Sequence, residues 1–579
     1  MTALAARPLP RQRQNDRHHA LVATAHVRLM MLMLLFGAAF LLVILRLTMI
    51  GLLADPPATR EDRVAAQLAR ADIVDRNGAP LARTIEAWTI AVHPKQIIGD
   101  RADIARQLAA LMPEHDEAWY YQQLTRNSNY VYLSRHAAPS LVNRVHAIGE
   151  PAIVFERAAE RLYPQSMLAA HVLGYLGPSA DDPDNLVGAA GVERAFQDRL
   201  TDPVERGTPL ALSIDARVQA AMESELGQAM VTFQARGAAG IVLDVDTGEV
   251  VAMSSMPVFN PNRLQGANRE ALRNNVTQSV YELGSTFKPI TVAAAINDGV
   301  VTDMSKRFDA TVPLQVGRFT IHDDRGDEQR RWLNIPETLI YSSNIATARI
   351  ADEMGEDRMK AIFRAMGFDT KPDIELREKA RPLWPTYWAR TTTMTTAFGH
   401  GIAITPLQLA NAYATLVNGG IWRPTTLLKV EPGHAAAGRR VLTEATSMRM
   451  RQLLRLVVLR GTGRKGDAPG FRVGGKTGTA EAASDGGYDH SRNVATFAAA
   501  FPMDAPRYVV VAMLDSPVGT KETFGLKTAA WNAAPVVGRV IQRTGAMLGV
   551  IPDMSHDIDV SELLPLIWTR PGDKMANVE

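Results

Sequence analysis

The chain of 579 residues has no cysteine. That excludes a disulfide framework and suits an exported protein, although it does not by itself choose a compartment. Charge of one sign is also missing: 63 Lys and Arg against 61 Asp and Glu leave a formal net charge of +2, so nothing argues for a nucleic-acid partner. There is no internal repeat, and the histidines between residues 55 and 208 show no metal-ligand spacing. Long apolar runs are scarce. The one long run, Leu29 to Leu45, carries no charge, and apolar sequence resumes after Arg46 through Ala54. A helix over 29–53 is about 37 Å long at about 1.5 Å per residue, enough to cross a bilayer. Arg7, Arg11, Arg13, Arg17 and Arg28 precede it against the single acid Asp16, which predicts a cytoplasmic amino end and a bulk on the far side. A cleaved signal peptide is the alternative, disfavoured by the long basic lead and the length of the run.

Lysine is scarce too, with twelve in the chain. Even so, Ser-x-x-Lys occurs once, as Ser285-Thr-Phe-Lys288, and Lys-Thr-Gly occurs once, as Lys476-Thr-Gly478, with Ser342-Ser-Asn344 between them. Ser285 opens an apolar run that reads as a buried helix with Pro289 in its first turn, where a missing N–H is tolerated. Residues i and i+3 share a helix face, which predicts Ser285 Oγ within reach of Lys288 Nζ. A serine hydroxyl needs a base, and Lys288 can be one if burial lowers its proton affinity. Taken alone, the string also reads as a capping serine and a solvated lysine. Ser-Ser-Asn alone likewise reads as a helix cap; facing the first helix, Ser342 can relay a proton between Ser285 and Lys288, and Asn344 can orient Lys288 and a substrate amide.

The third string lies in Arg472-Val-Gly-Gly-Lys-Thr-Gly-Thr-Ala480, too glycine-rich for a helix and suited to an edge strand lying close to a ligand. Lys476 offers positive charge, Thr477 and Thr479 offer hydroxyls, and Gly478 removes a side chain that would block approach. The set suits a peptide ending in carboxylate. Gly470-x4-Gly475-Lys476-Thr477 also matches a phosphate loop formally, but Gly478-Thr-Ala480 leads into a Gly/Ser/Asp-rich stretch and not the long helix such a loop opens.

Together the three strings resemble the active-site motifs of the class B penicillin-binding proteins, and the likeness extends beyond them. Arg70-Ala-Asp-Ile-Val-Asp-Arg-Asn-Gly-Ala-Pro-Leu-Ala82, Arg161-Leu-Tyr-Pro164 with His171, Gly174-Tyr-Leu-Gly177 and Gly191-Val-Glu193 are similar to motifs of that family's pedestal. Ile214-Asp215 with Gln219 resembles its interdomain junction. Phe398-Gly-His-Gly401 with Thr405-Pro-Leu-Gln408 resembles a further transpeptidase segment. Ser342-Ser-Asn344 followed by Ile-Ala-Thr-Ala-Arg resembles the cell-division branch more than the elongation branch. Ala71 stands where the family usually has glycine, Leu283 where proline often precedes Gly-Ser, and His400 where many members have tyrosine.

The resemblance implies an α/β chain of three parts: a single N-terminal transmembrane helix, an elongated mixed α+β pedestal and a penicillin-binding transpeptidase domain with a central antiparallel sheet sandwiched by helices. The expected boundaries are 1–28 for a basic cytoplasmic tail, 29–53 for the membrane helix, 55–225 for the non-catalytic pedestal, 230–555 for the transpeptidase and 556–579 for a C-terminal tail. The glycosyltransferase signatures of class A relatives are missing from the pedestal. Strands are expected at 238–245, 249–254, 494–501 and 508–514, a helix at 529–541, and a loop beside the cleft at 484–491.

The implied activity is serine D,D-transpeptidation of peptidoglycan stem peptides at the septum. A D-Ala-D-Ala donor acylates Ser285 and an amine acceptor takes the acyl group, with backbone N–H groups of Ser285 and Thr479 holding the oxyanion, no cofactor and no metal. β-Lactams are implied inhibitors. An FtsW-type glycosyltransferase, other divisome proteins and the inner membrane are implied partners. An elongation-type transpeptidase, a β-lactamase or D,D-carboxypeptidase, and a non-catalytic divisome scaffold share enough of these features to remain as alternatives.

Overall fold

A computed structural model of the protein describes residues 12–53, 70–181, 186–324, 326–484 and 487–568. The start of the expected cytoplasmic tail, the first residues of the pedestal and the last part of the C-terminal tail lie outside them. Helix α1, Gln12–Leu53, begins well before the expected Leu29 and continues unbroken into the apolar run. Its stretch Ala25–Arg46 is long and apolar enough to cross a membrane. Leu32, Phe36, Phe40 and Leu42 on it are all largely exposed, which is costly in water and favourable in lipid, where a helix also satisfies its own backbone.

The chain divides into two compact units. The first comprises 1–67, 89–133 and 149–158; the second comprises 68–88, 134–148 and 159–579. In the first unit α2, Arg101–Leu111, and α3, Glu117–Leu124, are each N-capped by an aspartate, Asp100 and Asp116. They bury Ile104, Leu108, Tyr120 and Leu124, and Tyr120 donates its hydroxyl to the Met112 carbonyl at 2.8 Å.

In the second unit the expected pedestal motifs meet in one buried cluster. Glu193, wholly buried, accepts from Arg70 Nε and from Arg161 Nε, each at 2.7 Å. Arg70 also donates to Gln197 Oε1 at 2.8 Å, and Arg161 to the Ala71 carbonyl at 2.9 Å. At the junction, Asp215 caps α4, Ala216–Thr232, and Gln219 on that helix exchanges two 2.8 Å hydrogen bonds with the Met253 backbone.

The central sheet is antiparallel throughout. Its strands are β1, Gly237–Asp244, β2, Val250–Met256, β3, Gly474–Ser484, β4, Gly487–Phe501, and β5, Tyr508–Asp515, in the order β3-β4-β5-β1-β2. Both faces are covered. On β5, Val509, Val511 and Met513 enter one core, while Val510, Ala512 and Leu514 enter the other, the two-residue period of a strand buried on both sides. One core holds the helices that carry the active-site strings. The other holds α4 and the later helix Ala533–Thr544, which begins four residues after the expected start because the Asn532 side chain caps it. The expected loop at 484–491 instead extends β3 and β4 on its described residues.

Candidate active site

The Ser285 segment is a 3-10 turn, Gly284–Phe287, followed by α5, Lys288–Asn297. The sequence led us to expect one helix from Ser285; Pro289 explains the difference. Proline has no N–H to return to the Ser285 carbonyl, which is bonded by the Lys288 N–H in a tighter turn. Gly284 opens the turn at φ +55°, and a Cβ there would lie 2.8 Å from the Thr479 carbonyl oxygen. Behind the turn, Tyr413 Oη donates to the Thr286 carbonyl at 3.0 Å. Ser285 is half-buried, and its hydroxyl carries no hydrogen bond among the described residues.

Lys288, one turn on, is wholly buried, as is α5 through Ala295. Its Nζ does not bond Ser285. It donates to Ser342 Oγ at 3.1 Å and to the Ser342 carbonyl. Lys476, equally buried on the edge strand β3, donates to the same Ser342 Oγ at 2.8 Å and to the Thr477 carbonyl at 3.0 Å. Burial lowers the Lys288 pKa to about 8, against the opposing pull of Asp324, Asp323 and Asp327. Burial, then the positive charge of Lys288, holds Lys476 well below the usual lysine range. Two ammonium groups on one buried hydroxyl repel each other, so the pair gives up a proton more readily than either lysine would in water. With both lysines donating to its oxygen, Ser342 keeps its own hydrogen to give elsewhere.

Ser342 sits in the left-handed region at φ +57°, costly for a residue with a Cβ and seen where the surroundings over-determine it. They do so here. On one side α6, Ile335–Ile340, starts with a full capping box between Asn334 and Glu337. On the other, Ser343 caps α7, Asn344–Met354. Buried Asp323 accepts from the Ser343 hydroxyl at 2.9 and 3.0 Å and from the Ile345 N–H at 3.0 Å. Sequence reasoning missed Asp323: it lies in a loop shared with Asp324 and Asp327, and no spacing distinguishes it from its neighbours.

Asn344 does not reach Lys288; its Nδ2 donates to the His322 carbonyl at 3.0 Å. Thr477 Oγ1 pairs with Thr462 Oγ1 at 2.7 Å, and Thr479 Oγ1 accepts from the Ala529 N–H at 3.1 Å. Gly478 is required by the protein's own backbone: a Cβ there would collide with the Leu283 carbonyl oxygen and lie 2.8 Å from Thr286 Cγ2. Gly478 thus lets β3 come close to the Ser285 turn. His400, half-buried, packs 5.2 Å from the Phe398 ring, and burial and then Lys288 lower its pKa. No cluster of metal-ligating side chains occurs among the described residues.

Lys288, Ser342 and Lys476 thus meet on one hydroxyl, and the turn that carries Ser285 packs against Gly478 of the same edge strand; the antiparallel sheet sandwiched by helices is the fold of a penicillin-binding transpeptidase. Residues 238–538 match the penicillin-binding protein transpeptidase domain, and residues 66–202 match the penicillin-binding protein dimerisation domain. The chain belongs to the class B penicillin-binding proteins. It is similar to the probable peptidoglycan D,D-transpeptidase FtsI of Caulobacter vibrioides, 40% identical over 83% of this chain and 82% of that protein. To the peptidoglycan D,D-transpeptidase FtsI of Escherichia coli K12 it is 29% identical over 86% of each. It also shares its fold with a solved peptidoglycan synthetase from Bifidobacterium adolescentis, at a TM-score of 0.64 and 22% identity, over 85% of this chain and 97% of that one.

Proposed function

We propose that this protein crosslinks peptidoglycan stem peptides at the division septum through an acyl-enzyme on Ser285. The observation that carries the reading is the pair of buried lysines sharing Ser342 Oγ beside a serine whose hydroxyl is uncommitted. A stem peptide ending in D-Ala-D-Ala places its carboxylate against Thr477, Thr479 and the charge of Lys476. Ser285 Oγ attacks the penultimate carbonyl, and its proton passes to neutral Lys288 through Ser342. The N–H groups of Ser285 and Thr479 hold the developing oxyanion. The tetrahedral species collapses, D-Ala leaves with the proton returned through Ser342, and an acceptor amine then attacks the ester and frees Ser285. Because Lys476 bonds Ser342, it belongs to the relay as well as to the carboxylate clamp. A β-lactam enters as a donor mimic and stays as an ester on Ser285.

The basic residues ahead of the apolar run of α1 support a cytoplasmic amino end, a single crossing of the inner membrane and a periplasmic catalytic domain. The relatedness to proteins named FtsI supports the septal assignment and, with it, an FtsW-type glycosyltransferase and other divisome proteins as partners. The test is time-resolved intact mass of the detergent-solubilised chain after mixing with a penicillin, beside Ser285→Ala. The expected result is an adduct that persists for hours on the parent and does not form on the variant. An adduct lost within seconds would identify a hydrolase, and no adduct would identify a scaffold.

A further inference from the structure

Beyond the matched transpeptidase region, which ends at residue 538, residues 552–568 run across the second unit and touch both segments that feed the shared hydroxyl. At its start this strap meets the lead-in to β3. Asp553 N–H donates to the Gly470 carbonyl at 2.8 Å, and Asp557 Oδ2 accepts from Arg455 at 2.8 and 2.6 Å. Arg455 is buried and also donates to the Val473 carbonyl at 2.8 Å, three residues before Lys476.

At its far end the strap meets α6, whose last residue lies two before Ser342. The Leu566 carbonyl accepts from Asn334 Nδ2 at 2.6 Å, and the Trp568 N–H donates to Glu337 Oε1 at 2.9 Å. Those two residues form the capping box of α6. The Arg331 guanidinium lies 5.2 Å from the Trp568 ring and 5.4 Å from the Tyr341 ring, and ion-pairs with Glu337 Oε1 at 2.9 Å. Tyr341 immediately precedes Ser342, the residue held at φ +57°. A strained backbone persists only while its surroundings hold it, and a relay tolerates little displacement.

We propose that residues 552–568 act as a clasp that keeps the Ser342 loop and the Lys476 strand in register, with Trp568 and Arg331 as positioning residues for acylation. This rests on the reading of Ser342 and Lys476 as parts of the relay. The clasp works by fixing α6 at its amino end through Glu337 and at its carboxyl end through Tyr341. If it loosens, Ser342 relaxes toward ordinary backbone and one lysine loses its acceptor.

The test compares Trp568→Ala, Trp568→Phe, Arg331→Met and Ser342→Ala in the detergent-solubilised full chain, by stopped-flow acylation with a fluorescent penicillin from pH 6 to 10. The expected loss in the limiting acylation rate is about 10-fold to 100-fold for Trp568→Ala and Arg331→Met, with the concentration for half-saturation little changed, as for a catalytic group displaced by a fraction of an ångström. The acid limb of the pH profile should also move to higher pH, because Lys288 becomes less desolvated while Lys476, Asp323, Asp324 and Asp327 stay in place. Trp568→Phe, which keeps a ring and the backbone N–H, should restore most of the rate. Arg331→Met leaves the strap's covalent and backbone contacts intact, so it decides the matter should Trp568→Ala fail to fold. A rate within twofold of the parent for Arg331→Met, with the limb unmoved, overturns the clasp. Full acylation by Ser342→Ala overturns instead the relay on which it rests.

Discussion

The second unit buries two pairs of cations, and the pairs are built on opposite principles. In the pedestal motifs, Arg70 and Arg161 close on the carboxylate of Glu193 at 2.7 Å each. In the catalytic part, Lys288 and Lys476 close on the neutral hydroxyl of Ser342. A guanidinium cannot give up its proton inside a protein and matches a carboxylate in a fixed fork, so the first cluster is a brace with one protonation state. An ammonium desolvated without a counter-ion in direct contact gives up its proton, so the second is a device that changes state. Compensated charge holds the chain in place; uncompensated charge, here bounded at a distance by Asp323, Asp324 and Asp327, is what the proposed acylation draws on.

The largest effect expected is on the uncompensated pair. Lys288→Met should cut penicillin acylation by about 10²-fold to 10⁴-fold, the usual worth of a general base, while the melting temperature holds or rises because a desolvated amine is replaced by an apolar side chain of similar length. Stopped-flow acylation and thermal unfolding of the same preparation read both. The brace should respond in reverse. Glu193→Gln leaves two buried guanidinium groups facing a neutral amide and should cost about 3–5 kcal/mol in urea unfolding, with acylation per folded molecule unchanged. A Lys288→Met protein that unfolds easily, or a Glu193→Gln protein as stable as the parent, would erase the distinction.

Gly478→Ala tests how the two parts of the catalytic site meet. The new Cβ would strike the Leu283 carbonyl and crowd Thr286, so β3 must shift away from the Ser285 turn. A stability loss of about 1–3 kcal/mol, the usual cost of overpacking, should come with a fall in acylation greater than the lost folded fraction accounts for. Equal losses in the two measurements would mean that the glycine matters for packing alone.

Much of this was legible in the residues, for definite reasons. The run of glycines around Lys476 pointed to an edge strand because no helix tolerates them, and the apolar run after Ser285 pointed to a buried helix, though whether Lys288 is buried or solvated stayed open until the fold placed it. The apolar runs at 238–245, 494–501 and 508–514 pointed to strands of one sheet, which the structure pairs. The bonding inside the site was less legible. Lys288 shares a face with Ser285 by helical spacing, yet it bonds Ser342, because Pro289 tightens the preceding turn and a residue far along the chain supplies the acceptor. Asn344, named for Lys288, is taken by the His322 carbonyl. Asp323 gave no signal, since its partners Ser343 and Ile345 are brought to it by tertiary folding.

The smallest and most discriminating effect concerns the acids that bound the lysine pair. Lys288 titrates at about 8 because burial lowers it and Asp324, Asp323 and Asp327 raise it in part. If neutral Lys288 is the base, acylation falls about tenfold per pH unit below that value and levels off above it. Asp324 is the largest of the opposing charges and is exposed, so Asp324→Asn removes a stabiliser of the protonated form with little disturbance to packing. The midpoint should therefore move down, below about 8, and the rate at pH 7 should rise slightly while the plateau stays where it was. Asp323 also holds the Ser343 hydroxyl, so Asp323→Asn should lower the plateau as well. A midpoint that moves upward in Asp324→Asn, or a profile without any limb near pH 8, would mean that the proton from Ser285 goes to a group other than Lys288, and the contrast between brace and reactive pair would then rest on Lys476 alone.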